Sequence, residues 1–418
     1  MIPALLTLAA AQLAAPCTAA LCDGDRLAPV FARLAAARTG GEPVRILQIG
    51  DSHTAGDQVT GAWRAALQAR YGSAGRGMLA PGRPYQGYLT RGVTAAQSPD
   101  WTVRGLFGPS YSAASTVPLG LSGYALSTGT PGAWMQLTAD VQAQAFDRLT
   151  VCGWAAPGAG AVQLTVGATS VSWSMDSLVP RPACRTVETA SATMNAEVKV
   201  TRGPVTLTSW TVERRAAGGV TLSNLGVVGA QLVHLERTDE RLLASELAVA
   251  RPDLIVVAFG TNEAFKPNFS AADYDAALQR GLLRLRRLAP GVPMLLLGAP
   301  DTATSMAALQ RGPAGDVSVC PGGSGWAPPA ALARVQAIQR QRAHELGIAY
   351  WDWAMRMGGR CTADSWSRAG RMRGDRVHFT RPGAEVIAGL LQADLDRAAG
   401  LAATPATPAV PATVQPLP

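Results

Sequence analysis

The chain has 418 residues, 48% of them hydrophobic and 16% charged, with a formal net charge of +8. That balance excludes a disordered polyelectrolyte and suits a folded protein of about two domains. The excess charge is arginine, since Lys199 and Lys266 are the only lysines. It is scattered in short groups such as Arg284-Leu285-Arg286-Arg287, with no basic tail and no arginine–aromatic ladder, which argues against nucleic acid as a partner.

The chain opens with "MIPALLTLAAAQLAAPCTAALCDGD". Its apolar part falls short of the roughly 20 residues a membrane span needs. An apolar run followed by small residues reads as a secretory leader, assigned to residues 1–20 with cleavage near Ala19 or Ala20, and leaves no stable membrane insertion afterwards. None of the six cysteines stands in a CxxC pair of the zinc or redox type. In an exported chain they read as disulfides: Cys152 with Cys184, Cys320 with Cys361, and Cys17 with Cys22 unless the leader takes part of that pair away.

Five short apolar runs follow as buried parallel strands: Val44 to Ile49, Val220 to Val228, Leu254 to Phe259, Val292 to Leu297 and Ile348 to Trp351. Helical patterns alternate with them, at Gln58 to Arg70, Leu232 to Ala250, Ala271 to Leu288, Ala331 to Leu346 and Ala384 to Ala398. The third is clearest, with Leu278, Leu282, Leu285 and Leu288 on one face. Strand alternating with helix predicts an α/β layered domain with a parallel sheet. Residues 88–218 break that rhythm. They hold short alternating runs such as "AVQLTVGATSVSWSM", punctuated by Gly, Pro, Ser and Thr, and read as an all-β sandwich inserted after residues 21–87. The α/β domain resumes over 219–400, and 401–418 is a Pro/Ala/Thr-rich tail. Trp134, Trp154, Trp173 and Trp210 of the insert read as core at strand spacing, with sugar stacking as the other reading.

Sites in open parallel sheets form at the carboxyl ends of strands. There the sequence places Gly50-Asp51-Ser52-His53, then Gly226-Val227-Val228-Gly229, then Gly260-Thr261-Asn262-Glu263. Before the last helix comes "RGDRVHFTRPG", with Asp375 and His378 three residues apart. A serine on a strand-to-helix turn exposes its Oγ. A hydroxyl is a poor nucleophile until a base takes its proton, and a carboxylate fixes the histidine tautomer. A glycine amide and an asparagine side chain can hold the oxyanion, each worth about 2.7–4 kcal/mol when preorganised. Ser52 is read as nucleophile, His378 as base and Asp375 as its orienting acid. The Ser52 amide, a glycine amide after the second strand and the Asn262 side chain are the candidate oxyanion donors. Asp51 braces the turn, His53 is structural or faces substrate, Glu263 caps or holds its loop, and His234 and His344 are surface or satisfied core residues. No metal-ligand motif or phosphate loop is present, so no cofactor and no metal are expected.

These blocks resemble the SGNH, or GDSL-like, hydrolases, through "IGDSH", "LGVVGA", "FGTNE" and "DRVHFT". The resemblance makes Gly229 the oxyanion glycine, with Gly226 second; His53 stands where Leu is common and Glu263 where Asp is usual. The β insert between the first two blocks, together with "YGSAGRGML" at 71–79, is similar to peptidoglycan O-acetylesterases of Gram-negative bacteria that carry a carbohydrate-binding-module-like domain there. The resemblance implies a three-layer sheet flanked by helices, a serine esterase acting on an acetylated glycan such as peptidoglycan, no cofactor, and a periplasmic or secreted location. Acetyl transfer to a sugar hydroxyl, a general GDSL-type esterase or lipase, and a glycan-binding protein remain open on the sequence alone, as does the oligomeric state.

Overall fold

The computed structural model describes residues 17–215, 218–309, 320 and 325–401. Five parallel strands form the centre: β1 Val44–Gly50, β2 Val220–Gly226, β3 Leu254–Ala258, β4 Met294–Leu297 and β5 Ala349–Trp351. Their order is β2-β1-β3-β4-β5, every neighbouring pair parallel. The strands are β-branched and leucine-rich because both faces are covered; β3 is buried along its whole length. Helices α1 Ala28–Arg38, α2 Val59–Tyr71, α3 Glu240–Ala250, α4 Ala271–Leu288, α5 Leu332–Glu345 and α6 Arg381–Ala398 flank the sheet. The side chains of Ser270 and Thr380 accept from the Asp273 and Gly383 amides and so start α4 and α6. On α4, Leu278, Leu282 and Leu285 are at most 2% exposed, a burial worth roughly 1.5–3 kcal/mol for each side chain.

Three local readings differ from the sequence expectation. Leu232 to Ala250 is not one helix: a 3₁₀ turn over Leu232–Arg237 precedes α3. The Asp239 side chain caps α3 by accepting from the Leu242 amide at 3.0 Å, which resets the backbone. Helix α1 was not anticipated, because its alanine-rich sequence carries little amphipathic contrast. The strip expected to leave with the leader is also part of the fold. Cys17–Thr18 and Leu21–Cys22 form a hairpin closed by the Cys17–Cys22 disulfide. Leu21 and Cys22 pair antiparallel with β5, and the Ala20 carbonyl accepts from the Asp352 amide at 2.8 Å. The anticipated cleavage at Ala19 or Ala20 falls inside this hairpin. Residues 1–16 of the expected leader and all of the expected tail beyond Leu401 lie outside the described residues.

The β insert is two stacked antiparallel sheets. One runs Thr169–Ser174, Ala161–Val166, Asn195–Arg202, Trp134–Ala139 and Val93–Gln97. The other runs Arg181–Thr193, Phe146–Ala155, Val205–Glu213, Tyr124–Thr128 and Thr102–Gly105. In Trp134–Ala139, Met135, Leu137 and Ala139 point inward while Gln136 and Thr138 face solvent, the alternation a sandwich demands. Cys152 and Cys184 stand opposite each other on paired strands and are bonded, and Cys320 is bonded to Cys361. The sandwich reaches upstream of residue 88, for Gly77–Leu79 pairs with Val205–Glu213. It also shares one apolar core with the parallel sheet: Leu47, Ile49 and Leu225 cluster with Leu126 and Leu207. Glu246 of α3, fully buried, ties the two together by accepting from the Leu121 amide, Thr208 Oγ1 and Ser209 Oγ at 2.6–2.7 Å.

Candidate active site

Strand order reverses direction around β1, between β2 and β3, and that crevice collects the expected residues. Ser52 opens a short helix, Ser52–Ala55, capped by Asp51, whose carboxylate accepts from the His53 amide at 2.9 Å. This turn is packed tightly. A Cβ on Gly226, at the end of β2, would fall 2.0 Å from the Ala55 nitrogen, so only glycine lets β2 pass beneath it. Behind the turn, Asp57 accepts from Thr60, Arg64, Arg76, Asn224 and the Arg91 amide. Burial works against the Asp57 carboxylate, but Arg64 and Arg76 outweigh it and hold its pKa well below normal.

His378 arrives from a hairpin-like loop. Met372 pairs with Phe379, and the Arg373 amide donates to the His378 carbonyl at 2.8 Å. Behind it, the buried Asp301 carboxylate holds the Thr362 and Ala363 amides at 2.7 and 2.9 Å. Burial pushes the Asp301 pKa up, while those amides restrain it. The loop sets His378 Nε2 2.9 Å from Ser52 Oγ and His378 Nδ1 2.8 Å from Asp375 Oδ2. The other Asp375 oxygen accepts from the Val377 and His378 amides, both at 2.9 Å. Partial burial opposes the Asp375 charge, but these hydrogen bonds and the ring prevail and lower its pKa. An ionised Asp375 only accepts, so Nδ1 carries the proton and Nε2 is left to accept from the Ser52 hydroxyl.

The oxyanion side is equally specific. The amides of Ser52 and Gly229 donate to no group among the described residues. Gly229 has φ 74°, and a Cβ there would strike the Phe107 ring at 2.8 Å. Asn262 Nδ2 donates to the Ala230 carbonyl at 2.9 Å. Its approach to Asp51 Oδ2 is 3.5 Å, long for a hydrogen bond, which leaves the second N–H without a good acceptor. Glu263 holds this loop, its carboxylate accepting from the Gly260 and Leu232 amides at 3.0 and 2.9 Å. Burial raises the Glu263 pKa against those bonds. Asp51 is pushed up to about 8, first by burial and further by Glu263 nearby, although the His53 amide opposes this.

His53 bonds neither Ser52 nor Asp375. Its ring lies 5.5 Å from that of Trp353 and 5.7 Å from those of His378 and Phe379. Burial, with His378 adding to it, drives its pKa down to about 3, so it is a neutral wall of the site. His234 accepts from the Gln231 amide at 3.0 Å and stacks on Phe107, while His344 pairs with Asp23. Trp210 is core, and Trp154 lies under the Arg241 guanidinium.

Ser52 and His378 open into a cleft of about 250 Å³, lined also by Gln58, Tyr85, Leu89, Val228 and Arg373. Two larger apolar cavities, about 460 and 520 Å³, contain no triad residue, so size does not locate the chemistry. Of these cleft walls only Arg373 carries a sequence signal, its nearness to His378 in the chain. Among the described residues there is no cluster of three metal-ligating side chains, and no helix is long and apolar enough to cross a membrane.

Residues 191–386 match the GDSL-like Lipase/Acylhydrolase family. The fold also superimposes on a peptidoglycan O-acetylesterase with a TM-score of 0.71 at 28% identity, over 89% of this chain and 96% of that one. The chain thus carries a GDSL-like lipase/acylhydrolase domain. The hydrolase is therefore an enzyme acting on acyl esters, built on the SGNH-type α/β sheet with additional β-sheets. A family two carbohydrate esterase from Cellvibrio japonicus is a distant likeness on which nothing below rests: 14% identity and a TM-score of 0.28, over 74% of this chain and 98% of its own. No curated protein sequence matches the hydrolase.

Proposed function

We propose that this hydrolase is a serine esterase that removes O-acetyl groups from a cell-wall glycan, peptidoglycan foremost, through an acetyl-serine intermediate. The observation that carries it is the relay of Ser52, His378 and Asp375 at 2.9 and 2.8 Å beside two unengaged amides. Ser52 Oγ attacks the acetyl carbonyl carbon while His378 Nε2 takes its proton, and the carbonyl electron pair moves onto oxygen. The Ser52 and Gly229 amides and the second Asn262 N–H receive that oxyanion. Collapse breaks the bond to the sugar oxygen, which leaves with the proton from His378. Water then gives a proton to His378 and attacks the acetyl carbon; acetate departs and Ser52 recovers its proton.

Water access favours hydrolysis over transfer, because the His378 side chain is 35% exposed. The small cleft suits an acetyl group better than a long acyl chain. The substrate is inferred from the peptidoglycan O-acetylesterase, whose likeness extends over the sandwich as well as the sheet. Three disulfides fit action outside the cytosol, in the periplasm or beyond. We place leader cleavage upstream of Cys17, since the sheet uses Ala20 to Cys22.

The test is acetate release from O-acetylated peptidoglycan by the protein and by Ser52→Ala, with 4-nitrophenyl acetate as a control ester. Release by wild type alone is expected. Cleavage of the control ester without release from peptidoglycan would sink the substrate assignment, and inactivity on both would sink the esterase.

A further inference from the structure

The loop that delivers His378 is crowded with arginines, and all but one of those around it are occupied. Arg376 pairs with Asp364 at 3.2 Å and lies 3.9 Å over the Trp326 ring. Arg368 pairs with Asp364, Arg371 lies over Trp366, and Arg381 pairs with Glu385. Arg373 alone of these has a guanidinium neither paired nor stacked among the described residues, although its backbone is pinned through both its amide and its carbonyl. Its amide donates to the His378 carbonyl, and its carbonyl accepts from Ser367 Oγ at 3.0 Å. The side chain is exposed and lines the Ser52 cleft. It is the one permanently charged side chain among the described residues that do so. The acid nearest in sequence, Asp375, is already committed to the His378 ring and two amides, and makes no ion pair with Arg373.

A free guanidinium anchored by its backbone beside the nucleophile is a receptor for a carboxylate, which it can meet with two parallel N–H donors. Other walls of the same cleft are uncharged: Leu89 and Val228, 49% and 50% exposed, with Tyr85, offer surface suited to the apolar face of a sugar ring. We propose that Arg373 reads a carboxylate on the glycan that carries the acetyl ester, so that the enzyme selects anionic over neutral acetylated sugars. The inference rests on the esterase reading above and deepens it. Peptidoglycan offers two carboxylate sources, the lactyl group of a muramic sugar without peptide and the acid groups of an attached peptide.

The decisive comparison uses 6-O-acetyl-N-acetylmuramic acid and its lactyl methyl ester, which differ only in that charge. With wild type, kcat/KM for acetate release should favour the acid. In Arg373→Gln that preference should fall by about tenfold, the size of a hydrogen bond to a charged group, and the change should sit in KM. Arg373→Lys should restore part of it, as a point charge without the fork. An acid-to-ester ratio equal in wild type and Arg373→Gln overturns the inference, as does an equal loss on both substrates. Acetylated glycan strands with and without peptide then separate the sources. A loss on peptide-free strands assigns the lactyl carboxylate; a loss confined to peptide-bearing strands assigns the peptide acids. Failure of wild type to release acetate from any of these, while it cleaves 4-nitrophenyl acetate, overturns the substrate reading itself and with it the role of Arg373. A melting temperature equal to wild type, expected for an exposed and unpaired side chain, shows that the Gln variant is folded.

Discussion

Asp57 and Asp375 both serve the turn that presents Ser52, one from behind it and one across the cleft. Asp57 is fully buried and locked by two arginines, an asparagine, a threonine and a backbone amide. The Asp375 side chain is 45% exposed and holds a single imidazole and two amides of its own loop. The difference separates two uses of a carboxylate. A buried charge met from every side fixes backbone, and losing one partner leaves an uncompensated ion. A half-exposed charge with one titratable partner lets that partner take and give up a proton. One network holds the site in place; the other lets it react.

The comparison is broken most severely on the cleft side. Ser52→Ala and His378→Ala should each lower kcat by about 10⁴- to 10⁶-fold with the melting temperature nearly unchanged. Steady-state rates and a thermal melt on the same samples check this, and a His378→Ala enzyme at wild-type rate would falsify the relay. On the other side, Arg76→Met leaves Asp57 short of a partner, and unfolding free energy should drop by about 3–5 kcal/mol. Denaturant titration measures that, and a drop no larger than for an exposed arginine would deny the cluster its structural role. Between the two lies Asn262→Ala, expected to lose about 100- to 1,000-fold in kcat.

The most gradual effect is one of pH. The Asp51 pKa is raised to about 8 from an ordinary 3.8. The folded state then binds a proton that the unfolded chain has released. The stability this group contributes is fully present below the ordinary value and fades as pH rises through about 8. Asp51→Asn cannot ionise and keeps an acceptor for the His53 amide. Its stability relative to wild type should therefore improve steadily from pH 5 to pH 8. Parallel melts across that range check the slope, and a constant difference would mean that Asp51 stays charged.

What the sequence made legible was local. Ser52, Asn262 and the Asp375–His378 pair each stand in a short block at a strand end, and α4 declares itself by Leu278, Leu282 and Leu285 on one face. What stayed hidden needed partners distant in the chain. Nothing in the sequence links Arg76 to Asp57, which meet only where Leu222 and Asn224 of β2 also bond them. Glu246 reads as one more helix carboxylate until Thr208 and Ser209 of the sandwich arrive to meet it. Residues 17–20 read as the end of a leader because small residues after an apolar run look alike whether they are to be cleaved or built into a hairpin against β5. The break at Thr238 was missed because the apolar period carries on across it, while the decisive signal was the single capping side chain of Asp239.

Strand β1 lies between β2 and β3, yet both of its neighbours come later in the chain than the whole sandwich. The order of synthesis is thus opposed to the order of assembly. The first strand made must wait, unpaired, while more than a hundred residues are laid down, and contacts that are distant in sequence form slowly. Most of the sandwich pairs with strands close to it in sequence and is expected to form ahead of the parallel sheet. Ser52 and His378, 326 positions apart, meet only after the final helix has docked. A chain emerging amino end first from a ribosome or a translocation channel would carry Ser52 long before its base, so that cleavage of esters begins only once residue 378 has followed.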